Sequence, residues 1–178
     1  MKEVALLDKT FELYIPQERI FAALDKLAVR VAEDYAGKKP VFVAVLTGAF
    51  MFASDFLKRL DILCEVTFLR VKSYEGTSTT GEVTQVLGLG QSVKGRDVVI
   101  LEDIVDTGYT MRYVIDYLNG EGAASVQICT MFYKPKALLC QLEVKYPAMI
   151  IPNDFIVGYG LDYDGYGRNL PEVYKLKS

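Results

Sequence analysis

Glu102 and Asp103 are adjacent carboxylates, and close behind them Asp106-Thr107-Gly108-Tyr109-Thr110 supplies a third acid, two threonine hydroxyls and a glycine. Carboxylates accept hydrogen bonds from sugar hydroxyls. A short turn with glycine brings backbone N–H groups close to an anion. In front of the acids runs Val98-Val99-Ile100-Leu101, an apolar run expected of a strand buried on both faces. Behind the turn, Met111-Arg112-Tyr113-Val114-Ile115-Asp116-Tyr117-Leu118 reads as a helix whose positive end lies at the turn. These parts together suit a phosphorylated sugar, with phosphate on the 106–110 amides and hydroxyls on the acids. Successive strand residues point to opposite faces, so both acids reach one ribose only where the strand bends. No G-x-x-x-x-G-K-[ST] occurs, so the turn is not a Walker loop.

The chain has no histidine. Ser-His-Asp and Cys-His mechanisms are excluded, and acid–base chemistry falls to carboxylates, lysine or tyrosine. A divalent metal held by oxygen alone points to magnesium rather than zinc. The 178 residues suffice for one domain with a core, and 51% hydrophobic with 24% charged residues fits a globular protein. A net charge of −3 gives no sign of a nucleic-acid or membrane-surface partner. Cys64, Cys129 and Cys140 lie in apolar segments without metal spacing and read as reduced, buried thiols of a cytoplasmic protein. No stretch resembles a signal peptide, and no apolar run is long enough to span a bilayer.

The elements that must position these residues alternate between strand and helix. Pro16 to about Lys38 carries a helical stripe of Ile20, Leu24, Leu27, Val31 and Tyr35. Val41–Leu46 is a continuous apolar strand, Gly48 to Leu60 a helix, and Cys64 to Lys72 a strand. Residues 73–82 form a polar loop, and a strand follows near Val83–Leu87. Residues 97–103 are the strand before the acids and 107–118 the helix after them. Ser125 to Tyr133 is a further strand, Phe155–Gly160 a short aromatic segment, and Val173–Leu176 an edge strand. The alternation predicts an α/β fold with a mostly parallel central sheet and helices on both faces. Ligands of such sheets bind beyond the carboxyl ends of the strands, here after Leu46, Lys72, Asp103 and Tyr133.

The strand, acidic pair and D-T-G-x-T turn resemble the phosphoribosyl pyrophosphate signature of the type I phosphoribosyltransferases. The resemblance spans roughly residues 41–170 and extends to the hypoxanthine-guanine branch. It implies one domain, with a core over about 17–150 and a small hood for the base from about 1–15 and 151–178. It gives the 5′-phosphate to Asp106, Thr107, Gly108, Tyr109 and Thr110, and the ribose hydroxyls and a magnesium ion to Glu102 and Asp103. Leu46, Thr47 and Gly48 resemble the pyrophosphate turn, where a non-proline cis bond is usual between positions 46 and 47. The frequent lysine of that turn is absent, which leaves its backbone amides. Ser73-Tyr74 resembles the start of the family's flap.

Lys134, Phe155, Ile156 and Asp162 resemble the purine pocket. A lysine donates to a 6-oxo group and leaves the amino group of adenine unpaired. Phe155 would stack on the base, the Ile156 main chain would bond its edge, and Asp162 would bind magnesium. Arg168 resembles the family's pyrophosphate-binding arginine. The implied reaction moves a phosphoribosyl group from phosphoribosyl pyrophosphate to N9 of a 6-oxopurine, with Asp106 as acid–base group at N7. The implied assembly is a homodimer or homotetramer, with the apolar helix from Gly48 to Leu60 as a contact face. A non-catalytic regulator on the same fold and a xanthine-preferring transferase stay open as alternatives. Gly88-Leu89-Gly90 lacks the third glycine and following helix of a dinucleotide site, and reads as a turn.

Overall fold

The computed structural model describes residues 2–73 and 83–177. The chain opens with a hairpin, β1 (Glu3–Leu6) and β2 (Lys9–Ile15), followed by helix α1 (Gln17–Asp34). Strand β3 (Val41–Leu46), helix α2 (Phe50–Leu57) and strands β4 (Glu65–Ser73) and β5 (Val83–Leu87) come next. Then β6 (Asp97–Val105), α3 (Tyr109–Gly120), β7 (Ser125–Tyr133), β8 (Tyr146–Ile150), β9 (Ile156–Val157) and β10 (Val173–Leu176) complete the order.

One sheet has six strands in the order β5-β4-β3-β6-β7-β8. Its neighbours are parallel except β5, which runs antiparallel to β4. The second sheet has the order β1-β2-β10-β9 and joins the two ends of the chain. The tail strand β10 is therefore internal, paired to β2 and β9, and not the edge strand the sequence suggested.

Apolar residues of β3 and β6 serve both faces of the larger sheet. Phe42, Ala44, Val99 and Leu101 join Ile20, Leu24, Leu27 and Val31 of α1 and Phe52 and Phe56 of α2. Val41, Val43, Val98 and Ile100 join Met111, Val114 and Leu118 of α3. Burial on both faces is why these strands carry unbroken apolar runs.

Several boundaries differ from the sequence reading. Helix α1 stops at Asp34, before the expected Lys38, because Gly37 turns at φ +75°. Helix α2 loses Gly48 and Ala49 to the turn before it and ends at Leu57 rather than Leu60. Strand β6 runs on through the acids to Val105, two residues past the expected end. Helix α3 starts at Tyr109 rather than 107, since Gly108 at φ +89° forms its left-handed N-cap. Residues 74–82, with Tyr74 and most of the expected polar loop, lie outside the described residues.

Candidate active site

The acidic pair stands where β3 and β6 part. Their pairing ends at Ala44 opposite Leu101, while β6 continues beside β7 to Val105. The gap beyond Leu101 opens a cleft that both Glu102 and Asp103 line. Glu102 Oε1 accepts the Asp103 N–H at 3.1 Å, and Asp103 Oδ1 accepts the Ile104 N–H at 2.8 Å. Burial pushes the Glu102 carboxyl well above its ordinary range, and the charge of Asp103 adds to this. Burial also raises Asp103, against the opposing pull of its hydrogen bonds and of Arg168. The remaining oxygen of Asp103 rests on the Leu46–Ala49 turn. A Cβ on Gly48 would lie 1.7 Å from Asp103 Oδ2, so any larger residue at position 48 would displace the Asp103 carboxylate. The Leu46–Thr47 peptide in that turn is cis.

Register makes the next contact. Val105 faces Tyr133 across the parallel β6–β7 pair, so the residues that follow, Asp106 and Lys134, emerge side by side. Lys134 Nζ donates to Asp106 Oδ2 at 3.2 Å. The ammonium is buried, whereas the carboxylate is nearly half exposed and also lines the cleft. Lys134 is itself held by its N–H, which donates to the Val105 carbonyl at 3.0 Å.

Thr107, Gly108 and Thr110 complete this wall of the cleft. The Thr107 carbonyl accepts the Leu139 N–H at 3.0 Å, which docks the turn on the segment after β7. A Cβ on Gly108 would meet Cys140 Sγ at 2.8 Å, so packing as well as its positive φ demands glycine there. No side chain caps α3. Its first amides are therefore available to an anion at the positive end of the helix. Tyr109 is exposed and lies outside the cleft wall.

Across the cleft stand Asp162 and Arg168. Arg168 donates to the Gly160 carbonyl at 2.7 Å and pairs with Asp162 at 2.6 Å. Asp162 also accepts the Gly165 N–H at 2.7 Å. The cavity these walls enclose measures about 510 Å³ and includes Leu46, Thr47 and Gly48. Two other grooves lie between α1 and β8 and between the end of α1 and residues 61–63. Neither combines an acid pair with an open helix head, so the cleft is the site that chemistry selects.

Phe155 and Ile156 sit outside the cleft wall, on the smaller sheet. The Phe155 ring is half exposed and stands 6.2 Å from Phe11 and edge-on to Tyr163 at 6.0 Å. The Leu176 N–H donates to the Phe155 carbonyl at 3.0 Å. That bond sets Ile156 opposite Lys175 in a non-hydrogen-bonded register, turning the Ile156 N–H and C=O to the open edge of β9. The backbone of Ser73 ends β4, and Tyr74 lies outside the described residues. Val71, Met111 and Leu161 also line the cleft. Sequence reasoning passed over them because each is an ordinary apolar residue of its element.

Known proteins share the sequence family and the fold of this chain. Residues 14–164 match the model of the phosphoribosyl transferase domain family. The hypoxanthine-guanine phosphoribosyltransferase of Streptococcus thermophilus is 41% identical over 174 residues, 97% of this chain and 97% of that protein. The crystal structure of a hypoxanthine phosphoribosyltransferase from Staphylococcus aureus is 40% identical with a TM-score of 0.89, covering 93% of this chain and 91% of that one. A hypoxanthine-guanine phosphoribosyltransferase structure from Bacillus anthracis is 29% identical with a TM-score of 0.88, covering 94% and 97%. With its acid pair, its D-T-G-x-T turn and its two sheets accounted for, the chain belongs to the phosphoribosyltransferase family, in the hypoxanthine-guanine branch.

Proposed function

We propose that the chain is a purine salvage enzyme that moves the phosphoribosyl group from phosphoribosyl pyrophosphate to N9 of hypoxanthine or guanine, giving IMP or GMP and pyrophosphate. The observation that carries the reading is the 3.2 Å pair of Lys134 and Asp106. The O6 and N7 atoms of a 6-oxopurine lie next to each other on one edge. Lys134 keeps two further protons to donate to O6, while the Asp106 carboxylate accepts a proton carried on N7. This donor–acceptor order selects the base form protonated at N7, which leaves the N9 lone pair free to attack.

The 5′-phosphate sits on the amides at 106–110 with the hydroxyls of Thr107 and Thr110, and Glu102 and Asp103 accept the ribose hydroxyls. N9 attacks C1′, the bond from C1′ to pyrophosphate breaks, and the N7 proton passes to Asp106. Arg168 and the amides of Thr47 and Gly48 hold the departing pyrophosphate, as fixed donors aimed at growing negative charge do. Phe155 covers the face of the base, and the open edge at Ile156 bonds its rim.

Among the described residues no three acidic, histidine or cysteine side chains are grouped to hold a metal. Magnesium binds through one or two carboxylates together with substrate oxygens and water. The paired carboxylates of Glu102 and Asp103 fit that demand, since a cation would offset the negative charge that their burial penalises. They would hold the ion, with Asp162 contributing once it is released from Arg168, and magnesium so bound supplies charge to stabilise the pyrophosphate.

The whole chain serves as one domain, with the smaller sheet as a hood over the base. We assign it to the cytoplasm, where free thiols stay reduced; of the three, Cys129 in the middle of β7 is buried as expected, whereas Cys64 and Cys140, which lie outside the strands and helices, are only partly buried. Among the described residues no helix is long and apolar enough to cross a membrane. We also assign a homo-oligomer, a dimer or tetramer, on the exposed apolar side chains of Phe50, Val66 and Phe68. The test of function is nucleotide formation from phosphoribosyl pyrophosphate, magnesium and each nucleobase in turn. IMP and GMP form and AMP does not; failure with every 6-oxopurine overturns the reading.

A further inference from the structure

The two rims of the cleft, the Leu46–Ala49 turn and the turn at residues 158–161, touch directly. Gly160 holds φ +98°, and a Cβ on it would lie 2.1 Å from the Gly48 carbonyl oxygen. Glycine lets the second turn rest its backbone on the first. A second link runs beneath. Tyr159 is buried and donates its hydroxyl to Asp55 Oδ2 at 2.8 Å. Asp55 lies in α2, the helix that grows out of the Leu46–Ala49 turn. The Tyr159 backbone sits at φ +51°, an uncommon conformation for a bulky residue. It is held there by its N–H on the Leu170 carbonyl at 2.8 Å and by the Gly160 N–H on the Arg168 carbonyl at 3.0 Å. The purine side thus reaches the pyrophosphate side at two points, and neither Tyr159 nor Asp55 lines the cleft.

We propose that Tyr159 is a positioning residue: its bond to Asp55 fixes α2, and through α2 the Leu46–Ala49 turn, at the spacing from the purine-side turn that the pyrophosphate end of the donor requires. The assignment rests on the phosphoribosyl-transfer reading of the cleft. Burial raises the Tyr159 phenol above its ordinary value, so the hydroxyl keeps the proton it donates across the working range. The other Asp55 oxygen pairs with exposed Lys58 at 2.8 Å, which allows the two contacts to be separated.

The experiment measures pyrophosphate Kd by calorimetry, and KM for phosphoribosyl pyrophosphate and for hypoxanthine, in wild type, Y159F, D55A, D55N, K58A and the Y159F/D55A double variant. Y159F and D55A each weaken pyrophosphate binding and raise donor KM by about five- to tenfold, the scale of one lost buried hydrogen bond. The hypoxanthine KM stays within about twofold, and the double variant is no weaker than the worse single one, as two halves of one contact require. D55N, whose amide oxygen still accepts the phenol proton, stays near wild type, as does K58A. Unmoved donor KM in both Y159F and D55A, equal rises in both KM values, or additive losses overturn the proposal. If Y159F does not fold, D55A carries the same comparison. A wild-type protein that forms no nucleotide and binds no pyrophosphate removes the reading of the cleft itself, whereas full wild-type turnover beside unmoved variants removes only the tie.

Discussion

Asp106 and Lys134 are 28 positions apart in the chain and 3.2 Å apart in space. The turn around Asp106 stood out from local residue types, because acids, hydroxyls and glycine at that spacing suit a phosphorylated sugar. The pairing was not, because it follows from the register of β6 against β7, which no local pattern encodes. Gly48 is similar: a side chain there would displace the Asp103 carboxylate, a neighbour only after β3 and β6 pair. The paired geometry sharpens two expectations. D106N keeps the fold and binds both reactants but loses roughly 10²-fold or more in kcat, the scale of a positioned proton-transfer group. Steady-state kinetics check this, and an unimpaired variant takes Asp106 out of the role. K134Q weakens hypoxanthine binding and narrows the preference over adenine, because glutamine presents an acceptor as well as a donor. Competition between the bases reads the change, and unaltered selectivity counts against Lys134 as the reader of O6.

At the scale of elements, what the sequence displayed best was burial. The apolar runs of β3, β6 and β7 announce themselves because both faces of the larger sheet are covered. The β1–β2 hairpin stayed hidden because its turn uses Leu7 at φ +53° rather than the Asn-Gly or Asp-Gly that marks such turns. Strand β8 was missed because Pro147 argues against a strand; it is tolerated at the edge of the sheet. Yet β8 is firmly clasped to α1. Tyr146 donates its hydroxyl to Asp34 at 2.6 Å, and Lys145 pairs with the same carboxylate at 3.1 Å. The Tyr146 hydroxyl first, and Lys145 next, hold the Asp34 carboxyl below its ordinary value of 3.8. A carboxyl lowered on folding stabilises above its unfolded value, and that contribution fades as pH falls through the folded value. Y146F is therefore less stable than wild type near neutrality, and the gap narrows below about pH 4 as Asp34 becomes protonated. Urea unfolding across pH checks it; a gap independent of pH assigns the loss to packing instead.

At the scale of the molecule, one end of the larger sheet is only half clothed. Val66 and Phe68 alternate with buried Thr67 and Leu69 on β4, yet point to solvent, and Phe50 stands exposed at the head of α2. Alternation of this kind ordinarily puts polar residues outside, so this apolar outer face is where the second copy of the proposed homo-oligomer would pack. F68D places a charge there and weakens self-association by about a hundredfold or more, since an unpaired buried carboxylate is strongly penalised. Sedimentation velocity distinguishes the outcomes, and an unchanged assembly moves the contact elsewhere. The same layout puts the proposed contacts at 46–48, 102–110 and 134 at the carboxyl ends of the parallel strands, with Phe155 and Ile156 on the smaller sheet and Asp162 and Arg168 between β9 and β10. The central claim is that the phosphoribosyl group lies over the turn from β6 to α3. A crystal structure with bound phosphoribosyl pyrophosphate tests it most directly. The account predicts the 5′-phosphate on the amides at 106–110 with the ribose against Glu102 and Asp103; a donor lodged elsewhere, with that turn empty, contradicts it.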